Sequence, residues 1–117
     1  MTVLAIPDVL EYLNNLVIIL YEKEYFSYEE EAQKYVDDLA DDIFDNLPKK
    51  LHRPAPNYYN KYGKNLFYAC FTKNACTERR EVTTTWYAFF SKYKENEETI
   101  YLIRYIGNNH TDAHHLL

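Results

Sequence analysis

Hydrophobic positions along the chain change period near its middle. In the first half they recur at helical spacing. Thr2–Ile6 is a short β-prone run, and Pro7-Asp8 follows it with a favourable helix start: proline suits the first turn and aspartate the positive helix end. Leu10, Leu13, Leu16, Val17 and Leu20 then form one apolar stripe, predicting a helix that ends near Glu24. Ser27 with Glu30 three residues on has the form of a capping box. It opens a second helix with Ala32, Tyr35, Val36, Leu39, Ile43 and Leu47 on one face and Asp37, Asp38, Asp41, Asp42 and Asp45 off it, stopped by Pro48. The short connection predicts an antiparallel helical hairpin.

From Lys49 to Lys64 the chain carries Pro54, Pro56, Asn57, Asn60 and Gly63 and reads as irregular. Three β-branched and aromatic runs follow, at 66–71, 83–90 and 99–106. The polar stretches between them, 73–81 and 91–98, are expected to be hairpin loops. The predicted order is β-α-α-β-β-β, an α+β fold in which the helical hairpin packs on a small, mostly antiparallel sheet. At 117 residues this is one domain spanning 1–117.

Composition narrows the picture. Aromatic residues make up 17%, 13 of them tyrosine, enough bulk for a core at this size. The longest aliphatic run, Leu16–Leu20, is far short of the roughly 18 residues a membrane helix needs. No charged-then-apolar leader is present, so a cytoplasmic protein is expected. Cys70 and Cys76 make neither a disulfide framework nor a four-ligand zinc site. The net charge of -5 is unevenly spread. Residues 1–48 hold two Lys against twelve Asp and Glu, while residues 49–117 hold eleven Lys and Arg against six Asp and Glu. An acidic half suits solvated helix faces, and a basic half suits a polyanion.

The element order and lengths, Asn46-Leu47-Pro48 closing the acidic helices, the aromatic run Thr85-Trp86-Tyr87-Ala88-Phe89-Phe90, and the last strand Ile103-Arg104-Tyr105-Ile106 running into Asn108-Asn109-His110 together resemble the RelE/ParE superfamily of type II toxin–antitoxin toxins. That resemblance implies a toxin held by a cognate antitoxin protein. Its target is mRNA, cleaved on the ribosome or off it, or else a macromolecule such as DNA gyrase that is bound without cleavage. The chain departs from the family in two ways: the central strand has no Arg after its Tyr, and the overall charge is acidic. A third reading is an orphan domain that docks a peptide.

RNA cleavage needs a general base, a general acid and cations over the phosphate, and no cofactor. For this a metal-independent endoribonuclease would use Arg104, set among apolar strand positions, with Arg79 or Arg80 as phosphate clamps. Strand alternation puts Arg104 on one face with Leu102 and Ile106, opposite Ile103 and Tyr105. An ion pair with a carboxylate of the second helix is the structural alternative. His110, where the resemblance places a proton-transfer group, begins a polar tail with Asp112, His114 and His115; the His110–His114 spacing alone is no metal site. Lys73, and Lys61 and Lys64 among Tyr58, Tyr59 and Tyr62, are candidate RNA contacts. Tyr87 is a further one, although packing suits it as well. Trp86 is expected in the core, and Cys70 is expected to be a buried apolar residue.

Overall fold

A computed structural model describes residues 1–23, 25–76 and 81–110. Strand β1 (Thr2–Ala5) leads into helix α1 (Pro7–Glu22), then helix α2 (Glu29–Asn46). A 3-10 turn (Leu47–Lys49), the two-residue strand β2 (Arg53–Pro54) and a 3-10 segment (Asn57–Tyr62) follow. The long strands β3 (Phe67–Cys76), β4 (Glu81–Glu95) and β5 (Glu98–Asn108) complete it. Two helices pack on a five-stranded mixed sheet ordered β1-β5-β4-β3-β2, in which β1 runs parallel to β5 and the other neighbours are antiparallel. The α+β class and the predicted element order hold, with β2 and the 3-10 segment added from within the basic stretch. No described helix is long and apolar enough to cross a membrane.

α1 begins at Pro7 with Asp8 in its first turn, as the sequence predicts. Its buried face is Val9, Leu13, Leu16 and Val17. Leu10, one position round from Val9, is 47% exposed rather than in the core. α2 buries Ala32, Val36, Leu39 and Ile43, and Leu47 beyond its end is fully buried. The Ser27 capping box does not form: the helix starts at Glu29, its N-cap is Tyr28, and no side chain caps it. Glu29, Glu30 and Glu31 in the first turn supply the favourable dipole interaction instead.

The sheet is covered on both faces. Ala69, Phe71, Trp86, Ala88, Phe90, Ile103 and Ile106 face the helices in the main core. Phe89 faces the other way, with Tyr59 and Leu66 in a second, smaller core flanked by Tyr62, Tyr68, Tyr87 and Tyr105. The Asn57–Tyr62 segment is therefore a lid over part of the helix-free face. Trp86 in the main core and Tyr87 on the opposite face agree with the sequence. Cys70 does not: it is exposed on the helix-free side of β3, outside the small buried cluster of Phe89, Tyr59 and Leu66.

β3 and β4 extend well past the apolar runs, β3 to Cys76 and β4 to Glu95. The expected loop 91–98 is mostly strand, closed by the two-residue turn Asn96-Glu97 between paired Glu95 and Glu98. Both turn residues have positive φ, 51° and 68°, the conformation of a type I′ hairpin, which favours glycine at the second position. Glu97→Gly is accordingly expected to raise stability by about 0.5–1 kcal/mol, read as a higher urea midpoint at unchanged slope.

Candidate functional site

The pairing of β4 with β5 shifts by one residue at Phe89/Phe90: Phe90 lies opposite Ile103, while Phe89 lies opposite Tyr105. Arg104 is the extra residue, so a β-bulge sits at the one cation of this strand. Beyond a bulge, alternation restarts on the other parity. Ile106 therefore joins Ile103 in the helix-facing core, and Tyr105 joins the helix-free face. The sequence expectation that Arg104 shares a face with Ile106, opposite Tyr105, is corrected on this point.

Arg104 lies on the helix-free face, half-buried, and its Nε donates to Ser91 Oγ at 2.7 Å. The lid ends beside it. Gly63 has φ of 141°, and a Cβ there would stand 3.1 Å from Arg104 Cδ. Glycine is thus needed both for the turn and for the close approach. No carboxylate of α2 is paired with Arg104: the described ion pairs are Lys73–Asp42 and the chain's amino group with Glu98.

Tyrosines share the helix-free face with the arginine. Tyr62 stacks on Tyr105 at 4.2 Å and 8°, and Tyr59 stacks on Phe89 at 4.2 Å and 22°. Tyr87 meets Tyr68 edge-on at 6.0 Å. Tyr87's neighbour on β5 is Gly107, which offers no side chain to cover its ring. Lys61 Nζ donates to the Tyr58 hydroxyl at 3.3 Å and lies 4.4 Å from the centre of that half-exposed ring. The hydrogen bond to Tyr58 pushes the Lys61 pKa up from its ordinary value, so the side chain stays fully charged at neutral pH. Lys64 is exposed just past the lid, and Arg53 is exposed on β2, paired with Tyr68. Between Asn46 and Thr77 the chain has five Lys and Arg before Lys73 and no Asp or Glu. The lid and the strands beneath it are consequently a basic surface.

The structure thus brings Arg104, Lys61, Lys64 and Tyr87 to one face. It puts Lys73 and His110 on the other. Lys73 pairs across strands with Thr84, which faces the helices, and its Nζ holds Asp42 of α2 at 2.7 Å. Thr84 Oγ1 lies 3.5 Å from His110 Nε2, so Lys73, Thr84 and His110 form a row across the helix-facing side. Arg104 and His110 are therefore separated by the thickness of the sheet and cannot meet at one phosphate. Arg79 and Arg80, with Asp112, His114 and His115, lie outside the described residues. Among the described residues no cluster of three or more His, Cys, Asp and Glu fits a metal ion.

Lys73 is a structural cation first. Burial pushes the Asp42 carboxyl up, but the hydrogen bonds from Lys73 and Asn46 and the Lys73 and Lys50 charges outweigh it and hold the pKa below its ordinary value. A lowered folded-state pKa gives stability that is present above the unfolded value and lost as pH falls through the folded one. Asp42→Asn is expected to cost about 1 kcal/mol at pH 7, and the difference from the native chain should fade at a pH well below the ordinary carboxylate range. Urea unfolding at the two pH values measures it.

Two interactions had no clear signal in the sequence. Trp86 Nε1 donates to the Tyr35 hydroxyl at 2.9 Å, joining β4 to α2. His52, a lone histidine in a basic stretch, packs edge-on against Phe90 at 4.8 Å, with Nε2 2.7 Å from the Leu47 carbonyl. No protein-family model, curated protein or solved structure matches this chain.

Proposed function

We propose that the chain is an RNA-binding toxin of the RelE/ParE kind, taking single-stranded RNA on the helix-free face of its sheet. The observation that carries this reading is the gathering of Arg104, Lys61 and Lys64 around the tyrosine stacks of one face. Single-strand binding combines a basic track for the backbone with aromatic rings for the bases, and stacking tolerates any base. The bulge-set, hydrogen-bonded Arg104 gives a forked phosphate contact of fixed direction. Lys61 and Lys64 add exposed charges beside it.

Cleavage of mRNA is the narrower proposal. With His110 on the far side of the sheet, the proton-transfer groups on the same face as Arg104 include the phenols of Tyr62, Tyr87 and Tyr105. A target bound without cleavage, such as a nucleic acid–enzyme complex of the gyrase type, is favoured by that same separation of Arg104 from His110. In either case the acidic outer surface of α2, with Asp37, Asp38, Asp41 and Asp45, suits a basic antitoxin segment.

The test is binding of a labelled single-stranded RNA 12-mer by the full chain across a salt series. Three phosphate contacts predict a slope of log K against log salt near −2, about −0.7 for each contact. Lys61→Glu with Lys64→Glu should abolish binding at moderate salt, and sequencing-gel analysis of the RNA reads out cleavage. Affinity that ignores both salt and the double substitution would sink the reading.

A further inference from the structure

On the helix-facing side the hairpin does not close fully on the sheet. A cavity of about 360 Å³ remains between α1, the α1–α2 connection and the far ends of β3, β4 and β5. Its walls include Leu16, Ile19, Leu20, Phe26 and Trp86, and Lys23, Thr84 and His110 also line it. Lys23 and His110 are exposed, which puts them where the cavity meets solvent, while the wall residues Leu16, Phe26 and Trp86 are buried. The Trp86 indole N–H is already given to Tyr35, and no described buried side-chain polar atom lacks a partner. The interior therefore leaves no described buried side-chain polar atom to be satisfied by a ligand, and the charged group in the lining, Lys23, is where the cavity meets solvent.

We propose that this cavity binds an amphipathic monoanion, a carboxylate carried on an apolar body of about ten carbons. The size follows from the volume: at the roughly 30 Å³ a water occupies in the liquid, the space takes about twelve non-hydrogen atoms. The apolar body follows from the walls, whose surface is removed from water when such a chain enters. The anionic head follows from charge complementarity at the mouth, where the exposed Lys23 ammonium is the cation, while Thr84 Oγ1 and His110 Nε2 are already paired with each other at 3.5 Å. The head stays at the solvent edge, so no charge is taken into the apolar interior. The site lies across the sheet from Arg104 and does not depend on RNA being the partner of the other face.

Trp86 is the only tryptophan in the chain and stands in the cavity wall, so its emission reports occupancy directly. The full chain is titrated with decanoate, decanol and decyltrimethylammonium, each below its micellar concentration. Decanoate should give a saturable change and bind about tenfold more tightly than decanol, as one charge-assisted hydrogen bond allows. Lys23→Ala, at an exposed position, should erase that preference while decanol still binds. Val82→Phe, which fills the space, should abolish the response to both; Ile19→Phe does the same if the first variant fails to fold. No saturable change with decanoate overturns the proposal. So does equal binding of decanoate and decanol by the native chain, binding of decyltrimethylammonium as tight as that of decanoate, or decanoate binding that survives filling of the cavity.

Discussion

Phe89→Ala is expected to lower the folding free energy by about 3–5 kcal/mol, the range for truncating a fully buried phenylalanine. Its ring is wholly inaccessible and lies on the side of the sheet that carries no helix. Tyr59 stacks on it at 4.2 Å, with Tyr68 and Tyr105 each 5.6 Å away. Nothing nearby is free to collapse into the gap, because Tyr59 is held between Phe89 below and Tyr58 and Tyr62 beside it. The cavity term should therefore add to the lost transfer energy. The substitution also removes the floor under the lid that carries Lys61 and ends at Gly63, so RNA affinity should fall with stability. Phe90→Ala supplies the contrast. That ring is equally buried but faces the helices against His52 and Tyr101, so it should cost a similar amount and leave RNA affinity in the folded protein unchanged. Urea unfolding followed by RNA titration of each variant makes the measurement. A loss for Phe89→Ala below about 1 kcal/mol would mean that the lid does not seal this face.

Much of the architecture was legible because it rests on periodicity. The α2 stripe of Ala32, Val36, Leu39, Ile43 and Leu47 is the buried stripe. Each of the three aromatic runs falls in one of the three long strands, the first of them at the start of β3. Their ends were not legible, for a physical reason. Lys92, Tyr93 and Lys94 lie on an arm of the hairpin that meets water on both faces, so no burial forces an alternating pattern there. The Asn96-Glu97 turn lacks the glycine that would advertise it. The lid was hidden in a stretch of Pro, Asn and Lys, where Tyr59 and Leu66 do the burying outside any regular period.

At the candidate site the same logic decides which residues could be placed. Lys61, Lys64 and Tyr87 could be named because cations among aromatic residues are visible in one dimension. Their shared face with Arg104 could not be inferred, because it depends on a bulge. One extra residue in β5 reverses the parity of everything after it, sending Tyr105 to the tyrosine face and His110 to the helix side. Cys70 followed the apolar rule in sequence and broke it in space, since the second core covers only the centre of its face.

The bulge makes Arg104 the most informative residue to change. Arg104→Ala is expected to weaken single-stranded RNA binding by about 10- to 100-fold, matching the roughly 1.5–3 kcal/mol of a hydrogen bond to a charged group. The salt slope should shrink by about 0.7, the signature of one phosphate no longer neutralised. Arg104→Lys should recover the slope but only part of the affinity. Lysine keeps the charge yet lacks the Nε that donates to Ser91, so the cation is no longer aimed. Ser91→Ala should reproduce that partial loss with the arginine intact. His110→Ala should leave affinity and slope unchanged, because its ring lies beside Thr84 on the opposite side of the sheet. The reverse result, with Arg104→Ala silent and His110→Ala defective, would move the RNA surface to the helix-facing row of Lys73, Thr84 and His110. The bulge would then be a packing device that lets Tyr105 reach Tyr62, and the tyrosine face would be a second core alone.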